Sequence, residues 1–161
     1  MVRPLQGSLT VSATLRHDLD HIIRAGVDAV SAKRVVARAM RDAAVADVLT
    51  SRPLHVLAVG KAAAGMVTAF AAVPHLAIRS AVAIGTHANA DLPAGVEWIE
   101  SSHPFPDTRS EAAGHRALAL AEGVHSGEAL VILLSGGASA LMAAPLEGIT
   151  LADKIETTRR M

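Results

Sequence analysis

The sequence predicts an α/β fold in which helices pack on a doubly wound, mainly parallel sheet. Short apolar runs that are typical of buried strands alternate with segments of helical periodicity. This alternation is the pattern of parallel strands joined by crossover helices. Hydrophobic residues make up 51% of the chain but aromatic residues only 2%. The core must therefore consist of small aliphatic side chains, which suits Ala-rich helices packed closely on Val- and Ile-rich strands.

The first third of the chain predicts helices. Residues 1–12 are expected to form a flexible lead-in. Apolar residues then recur at helical spacing, namely Leu15, Leu19, Ile22, Ile23, Val27 and Val30. Ser31 is expected to cap a second helix, and Pro53 to end the helical region. The apolar face of this second helix would comprise Val35, Val36, Ala39, Met40 and Ala43.

Four strands and three longer helices are predicted in the rest of the chain. The strands are short apolar or alternating runs at residues 55–59, 80–84, 95–100 and 129–134, of which the third suits a position nearer an edge. One helix opens at Lys61, a second runs from Thr108 to about residue 123, and a third follows Thr150. Thr108 with Glu111 matches a capping box, and Thr150 with Asp153 caps the last helix.

Charge and composition exclude several classes of protein. Lys+Arg and Asp+Glu number 15 each, so the formal net charge is zero, whereas nucleic-acid binders carry a basic excess. The absence of cysteine excludes disulfides and thiolate metal sites. No apolar run approaches the about 20 residues that a membrane span needs, and the first residues lack the apolar stretch of a signal peptide. We expect a soluble cytoplasmic protein without nucleic-acid or membrane partners.

A glycine-rich loop follows the most strand-like run of the chain. Its residues are Ser135, Gly136, Gly137, Ala138 and Ser139, at the kind of strand end where open α/β sheets bind ligands. Two adjacent glycines let backbone N–H groups converge on an anion, and the serines add hydroxyl donors. The sequence therefore favours a phosphate-binding loop. The alternative is a tight strand-to-helix turn that merely requires glycine.

Two further strand ends carry candidate site residues. Lys61 follows Gly60 at a predicted helix start, where the helix dipole disfavours a cation by roughly 0.3–1 kcal/mol. A role in binding a carboxylate or a transferring phosphoryl group would explain it, and a solvated lysine is an equally good interpretation. His103 and Asp107 lie in a loop stiffened by two prolines and are possible substrate contacts. The residues alone favour a rigid connector in which Asp107 helps to cap the next helix.

Three well-known site patterns are missing from the sequence. The residues around Gly60 and Lys61 do not form a Walker A loop, since that motif would need Gly instead of His55 and Ser or Thr instead of Ala62. No G-x-G-x-x-G occurs. His17 and His21 are four residues apart, yet no third ligand accompanies them, so a solvated helix face is expected and no metal site is predicted.

Four segments in order resemble one protein family. They are Gly60-Lys61-Ala62, His103-Pro104-x-Pro106-Asp107, Ser135-Gly136-Gly137-x-Ser139-Ala140-Leu141 and Thr150-Leu151-x-Asp153-Lys154. Each is weakly specific alone, but their order and spacing together are similar to those of the glycerate 2-kinases that have a DUF4147-type N-terminal domain and a C-terminal MOFRL domain. Some members of that family carry the name hydroxypyruvate reductase. The resemblance covers about residues 15–161.

The resemblance implies a Rossmann-like three-layer α/β/α domain with N-terminal helices, paired with a second domain across an active-site cleft. It implies transfer of the γ-phosphoryl group of ATP to the 2-hydroxyl of D-glycerate, with Mg²⁺ or another divalent cation. Lys61 matches the functional lysine of the family, and Gly60 with residues 135–139 matches its phosphate-binding loops. Many relatives have a third glycine at the position of Ala138. The alanine allows fewer backbone conformations, so it stiffens the loop slightly.

The chain departs from the family pattern in length. Residues 13–161 correspond to the N-terminal part of the domain, so the domain is expected to be incomplete and the MOFRL domain absent. Core surface left uncovered by those parts would favour self-association into a homo-oligomer. Two alternatives stay open. One is a hydroxypyruvate reductase, against which the missing dinucleotide fingerprint counts. The other is a non-catalytic phosphate- or nucleotide-binding fragment.

We predict that the purified 161-residue chain alone has no measurable kinase activity, because one wall of the cleft would be missing. A coupled assay of ADP release in the presence of D-glycerate checks this prediction. Glycerate-dependent turnover above the rate without enzyme would contradict it.

Overall fold

The computed structural model describes residues 7–87 and 92–160. Seven helices and four strands lie in these two ranges. The helices are α1 (Gly7–Ala29), α2 (Ala32–Ala39), α3 (Ala43–Ser51), α4 (Ala63–Ala71), α5 (Thr108–Glu122), α6 (Ala138–Leu141) and α7 (Leu151–Arg160). The strands are β1 (Pro53–Val59), β2 (Ala77–Gly85), β3 (Val96–Glu100) and β4 (Ala129–Leu134).

The four strands form one parallel sheet in the order β3-β2-β1-β4. The chain moves outward from β1 to β3 and then returns to add β4 on the other side of β1. The strand order therefore reverses between β1 and β4, which is the topological switch point of doubly wound sheets. All four strands predicted from the sequence are confirmed, including the edge position of β3.

Helices cover both faces of the sheet and divide the core into two clusters. On one face Val36 of α2, Leu49 of α3 and Phe70 of α4 pack with Val56 and other residues of β1 and β2. On the opposite face α5 and α6 pack against alternate residues of the same strands, namely Leu57, Val59, Val82 and Ile84. The predicted three-layer α/β/α arrangement is confirmed. The core contains mostly Ala, Val, Leu and Ile, as the composition required.

The structure corrects three helix boundaries. Helix α1 begins at Gly7, so residues 7–12 are helical rather than a flexible lead-in, while residues 1–6 lie outside the described part. Extending an existing helix costs less conformational entropy per hydrogen bond than starting one. Helix α1 therefore continues towards the N-terminus beyond its first predicted apolar residue. The predicted second helix is two helices, because the Asp42 carboxylate accepts the N–H groups of Ala44 and Val45 and starts α3. Helix α4 begins at Ala63, two residues after Lys61.

The six apolar residues predicted to form one face of the first helix lie at the surface. They run from Leu15 to Val30, which follows the end of α1, and each is more than half exposed, with values from 53% to 72%. Within the described residues, none of the helices combines the length and the apolar character that crossing a membrane requires.

Trp98 of β3 packs closely against the carboxyl end of β2. A Cβ on Gly85 would lie 3.1 Å from the indole Cζ2 of Trp98, so the ring occupies the space that a side chain at position 85 would need. The same hypothetical Cβ would lie 3.4 Å from the carbonyl oxygen of Gly60. The indole Nε1 is buried, and none of the described residues accepts a hydrogen bond from it.

A polar cluster joins three parts of the sheet near the amino ends of its strands. The ring of His55 on β1 has its Nδ1 2.7 Å from Ser80 Oγ on β2 and its Nε2 3.0 Å from Glu128 Oε2, just before β4. A register shift at this point pairs Leu54 with Ile78 but His55 with Ser80, and this leaves Arg79 as an extra residue. The guanidinium of Arg79 contacts the other oxygen of Glu128 at 3.3 Å. The bulge thus brings His55 and Ser80 side by side.

The pKa of Glu128 lies below its ordinary value of 4.5, because the backbone N–H of His125 and then the side chain of His55 stabilise the carboxylate. A lowered pKa in the folded state stabilises the fold above pH 4.5, and this contribution is lost as the pH falls through the lowered pKa. We predict that Glu128→Gln lowers the melting temperature near neutral pH, and that the difference from the unchanged chain narrows below pH 4.5. Thermal unfolding followed by circular dichroism over this pH range measures both quantities.

The matched control for this prediction is Glu147→Gln. Glu147 is exposed, and no salt bridge in the described part of the chain involves it. The control variant should unfold at the same temperature as the unchanged chain at every pH. A Glu128→Gln effect that does not vary with pH would contradict a contribution from the carboxylate charge.

Candidate functional site

The carboxyl ends of β1 and β4 approach each other closely at Gly60. The backbone of Gly60 has a φ of 122°, and its N–H donates to the carbonyl of Ile84 at 3.1 Å. A Cβ at this position would meet the hydroxyl of Ser135 and would lie 2.6 Å from its carbonyl oxygen. Position 60 therefore requires glycine both for its left-handed conformation and for the space. The gap outside these two strand ends is called the switch-point crevice below.

Ser135 ties the loops after β1 and β4 together. Its N–H donates to the carbonyl of Val59 at 3.0 Å, and its Oγ accepts the N–H of Ala62 at 3.0 Å. The N–H of Lys61 in turn donates to the carbonyl of Gly136 at 2.9 Å. The sequence predicts the Ser135 hydroxyl as an anion ligand, but the structure places it between the two loops. Its Oγ also lies 3.4 Å from the carbonyl of Val59, to which it donates.

The residues after Ser135 present free backbone donors. Within the described part of the chain, the N–H groups of Gly136, Gly137, Ala138 and Ser139 donate to no backbone or side-chain acceptor. Apart from the two residues that flank it in the chain, no described residue has an atom within 4 Å of the place where a Cβ of Gly136 would be. Gly137 has a φ of 93° and turns the chain into α6. A run of free N–H groups beside open space is the arrangement that backbone anion sites use.

Lys61 and His103 converge on this loop from two other strand ends. A Cβ at Gly137 would lie 2.9 Å from Cδ2 of His103, 3.2 Å from its Nε2 and 3.4 Å from Cγ of Lys61. The His103–Pro104 peptide bond is cis. Lys61 is exposed, and none of the salt bridges formed by the described residues involves it. Lys61, His103 and the glycine-rich loop, which are far apart in the sequence, therefore lie together at the switch-point crevice.

Asp107, by contrast, serves the structure of α5. Its carboxylate accepts the N–H groups of Arg109 and Ser110, and the Ser110 hydroxyl accepts the N–H of Asp107 to complete a capping box. The pKa of Asp107 is lowered chiefly by a side-chain hydrogen bond from Arg109. The predicted capping box from Thr108 to Glu111 is thus wrong by one residue. The structural alternative that the sequence offered for Asp107 is the one observed.

A buried pair of serines fixes the loop of His103 relative to the glycine-rich loop. Ser101, at the start of the first loop, donates its hydroxyl to the carbonyl of Leu141 at the end of α6. Its Oγ lies 3.1 Å from that of Ser110 in α5. The N–H of Ala143 donates to the carbonyl of Ser110 at 2.9 Å. The sequence did not indicate these residues, because a serine near a turn is usually solvated.

Helix α7 adds a contact that the sequence did not assign to the site. Thr150 and Asp153 cap it as predicted, since each side chain accepts the backbone N–H of the other residue. The Nζ of Lys154 lies 3.4 Å from Ser139 Oγ. Lys154 belongs to a segment that resembles the family, yet nothing in its spacing shows that it reaches the glycine-rich loop.

The donors at the crevice suit an anion rather than a bare metal ion. Among the described residues, no three His, Cys, Asp or Glu side chains are grouped so that they could hold a metal. The groups that face the crevice are backbone N–H groups, an ammonium and an imidazole. A divalent cation such as Mg²⁺ is usually bound by one or two carboxylates together with substrate phosphates, and it retains several waters. The donors named here include no carboxylate, so they do not by themselves fit such a cation.

The fold and the crevice together define a doubly wound α/β domain with a glycine-rich loop and a lysine at its switch point. The chain belongs to the DUF4147 family, described as a domain of unknown function, whose sequence model matches residues 18–161.

Several relatives share this part of the chain. A protein of Agrobacterium vitis named "Putative hydroxypyruvate reductase" is 37% identical over 139 residues, which are 78% of this chain and 31% of that protein. The Glycerate 2-kinase of Pyrococcus horikoshii is 34% identical over 105 residues, 65% of this chain and 23% of that enzyme. The crystal structure of glycerate kinase from Thermotoga maritima superposes with a TM-score of 0.74 and 28% identity, over 91% of this chain and 34% of that one. The chain therefore spans about a third or less of the length of these relatives.

We predict that Gly60→Ala strongly destabilises the protein whereas Gly136→Ala does not. The first change places a Cβ against Ser135 at a left-handed φ, and we expect a loss of about 2–4 kcal/mol in the free energy of unfolding. The second places its Cβ in open space at a residue without positive φ, so a change of at most about 0.5 kcal/mol is expected. Urea unfolding compares the two variants. Equal losses would show that the close contact at Gly60 does not constrain the fold.

Proposed function

We propose that this chain forms the phosphate-binding part of an ATP-dependent glycerate 2-kinase, which transfers the γ-phosphoryl group to the 2-hydroxyl of D-glycerate. The observation that carries the proposal is the position of Lys61 beside four free N–H groups at the switch-point crevice. The names of the Pyrococcus and Thermotoga relatives support the substrate.

Phosphoryl transfer requires the protein mainly to position the phosphate groups and to stabilise their negative charge. In phosphoryl transfer the negative charge spreads over the equatorial oxygens, and catalysis rests on positioning and electrostatic stabilisation. The N–H groups of residues 136–139 would hold phosphate oxygens, and the Lys61 ammonium would offset the charge of the transferring group. His103 adds a ring nitrogen beside Gly137 that can hydrogen-bond to the same group. A divalent cation bound to the nucleotide would supply further neutralisation of the β- and γ-phosphates.

A second candidate function is a hydroxypyruvate reductase, which the name of the Agrobacterium relative favours. Such an enzyme needs a nicotinamide dinucleotide. The turn after β1 reads Gly60-Lys61-Ala62, so Ala62 replaces the second glycine of the dinucleotide fingerprint, the one that lets the backbone approach the pyrophosphate, although Gly65 occupies the third position. The lysine at this turn instead suits a terminal phosphoryl group. The third alternative, a non-catalytic module, would bind inorganic phosphate as well as it binds ATP.

We predict that the chain binds ATP with Mg²⁺ and does not bind NADH in isothermal titrations. Lys61→Met should weaken ATP binding by about tenfold, because a charge-assisted contact of some 1.5–3 kcal/mol is lost. Gly136→Ala, which leaves the fold unstrained, should also weaken it, because its Cβ would occupy the space that the phosphates approach. Lys33→Met, on α2, is the matched control and should bind ATP normally.

Three other outcomes are informative. NADH binding without ATP binding would replace the kinase with the reductase. Equal affinities for ATP and inorganic phosphate would favour the non-catalytic module. ATP binding that is unaffected by Lys61→Met and Gly136→Ala would place the nucleotide away from the switch-point crevice and would contradict the proposal.

A further inference from the structure

Lys154 of α7 reaches back to the end of the glycine-rich loop. Its Nζ lies 3.4 Å from Ser139 Oγ, and its side chain is half-buried. The sequence contains three lysines, Lys33, Lys61 and Lys154, and two of these lie beside this one loop. A lysine in the first turn of a helix is disfavoured by the helix dipole. A lysine that served only as solvated surface charge would avoid this cost at another position, so we look for a ligand that the Lys154 ammonium could bind.

No carboxylate of the described residues forms a salt bridge with Lys154. Its neighbour Asp153 uses Oδ2 to accept the N–H and the hydroxyl of Thr150, and the Thr150 hydroxyl lowers the pKa of the Asp153 carboxyl. In the ranges that the structure describes, no salt bridge involves Lys154 or Lys61. Two ammonium groups therefore flank the glycine-rich loop without a carboxylate partner, which leaves room for two anionic groups of a ligand.

A cavity of about 360 Å³ lies where Lys154 meets the loop. Its lining comprises Ser139, Pro145, Ile149, Lys154 and Asp153, whose carboxylate caps α7, together with Thr157 and Thr158 of the same helix. The two threonine hydroxyls donate to carbonyls of their own helix. Lys154 and Ser139 are therefore the side chains of this lining that remain available to donate hydrogen bonds to a ligand.

Helix α7 contacts the loop of His103 as well as the glycine-rich loop. Thr150 and Asp153 fix its first turn by reciprocal hydrogen bonds. Near its other end the guanidinium of Arg159 lies 5.8 Å from the centre of the Phe105 ring, which belongs to the loop of His103. The helix thus contacts both loops of the crevice, through Lys154 at Ser139 and through Arg159 at Phe105.

We propose that Lys154 and the Ser139 hydroxyl bind the carboxylate of the hydroxy-acid substrate. This inference rests on the proposed function. The 2-hydroxyl of such a substrate is on the carbon that bears the carboxylate, so the carboxylate must sit next to the transferring phosphoryl group. Ser139 follows Gly137 by two residues, so their Cα atoms are at most about 7 Å apart. One ammonium with one hydroxyl matches a singly charged carboxylate, whereas Lys61 and the run of N–H groups match the more highly charged phosphates.

Isothermal titration of the 161-residue chain tests the inference with three probes: D-glycerate, its methyl ester, and ATP with Mg²⁺. The unchanged chain should bind D-glycerate and should bind the ester at least about tenfold more weakly, since the ester lacks the charge. Lys154→Met should weaken D-glycerate binding by about tenfold and leave ATP binding within about threefold. Lys154→Arg should retain most of the affinity for D-glycerate, and Lys33→Met should change neither ligand. Circular dichroism should show unchanged helix content in all variants.

The outcomes separate this inference from the kinase proposal. If ATP binds but Lys154→Met leaves D-glycerate binding unchanged, the carboxylate subsite is wrong and the kinase proposal stands. If Lys154→Met weakens ATP as strongly as D-glycerate, Lys154 belongs to the phosphate site and the inference is overturned. Absence of D-glycerate binding, or equal binding of the ester, also overturns it. Absence of ATP binding by the unchanged chain counts against the kinase proposal itself.

Discussion

The close packing of Gly60 against Ser135 is the contact on which the geometry of the crevice depends. Parallel strands end at the same edge of a sheet, but the loops that leave them normally diverge. Here the Ser135 hydroxyl accepts the N–H of Ala62 while the N–H of Lys61 donates to Gly136, so each loop satisfies the polar backbone groups of the other. This exchange is available only because residue 60 carries no Cβ. The N–H groups of residues 136–139 have no acceptor among the described residues, and these groups form the candidate site.

The distribution of charge around the crevice follows from the same arrangement. Two acidic residues of the adjoining segments are engaged in the structure, since Asp107 caps α5 and Asp153 caps α7. Lys61 and Lys154, which are not paired with acidic residues in the described ranges, supply the remaining charge. The whole chain has a net charge of zero, so it has no general affinity for polyanions. The two lysines beside the crevice still create a local positive potential, which attracts a small anion to that place. This fits a small phosphorylated ligand better than a nucleic acid.

The sequence allowed the sheet and its helices to be predicted because local periodicity determines them. The four apolar runs became the four strands, and Thr150 with Asp153 became a helix cap. Errors arose where two local solutions competed. Asp107 and Thr108 each begin a plausible capping box, and the choice depends on Ser110, which also contacts the buried Ser101. Asp42 interrupted a continuous helical pattern for a similar reason, because its short carboxylate bonds to backbone N–H groups more readily than it extends a helix.

The candidate site could be predicted only in part, because the local hydrophobic pattern of a sequence does not determine the order of the strands in the sheet. That β4 lies beside β1, and not beside β3, brings Ser135 to Gly60 across 75 residues of sequence. The sequence identified Lys61, His103 and the glycine-rich loop as unusual strand ends, and the structure brings them together. The bridging role of Ser135 and the reach of Lys154 depend on distances between elements, so they appeared only in three dimensions.

The indole of Trp98 lies against Gly85, one residue past the end of the strand pairing that supports Gly60. The chain has one tryptophan and no tyrosine, so its near-ultraviolet emission comes from a single ring. That ring has a buried Nε1 without a partner among the described residues, which makes its emission sensitive to any water or polar group that approaches. The protein therefore carries an intrinsic fluorophore a few ångströms from the backbone of the crevice. Movement of the loops after β1 and β2 should be visible in its spectrum without any added label.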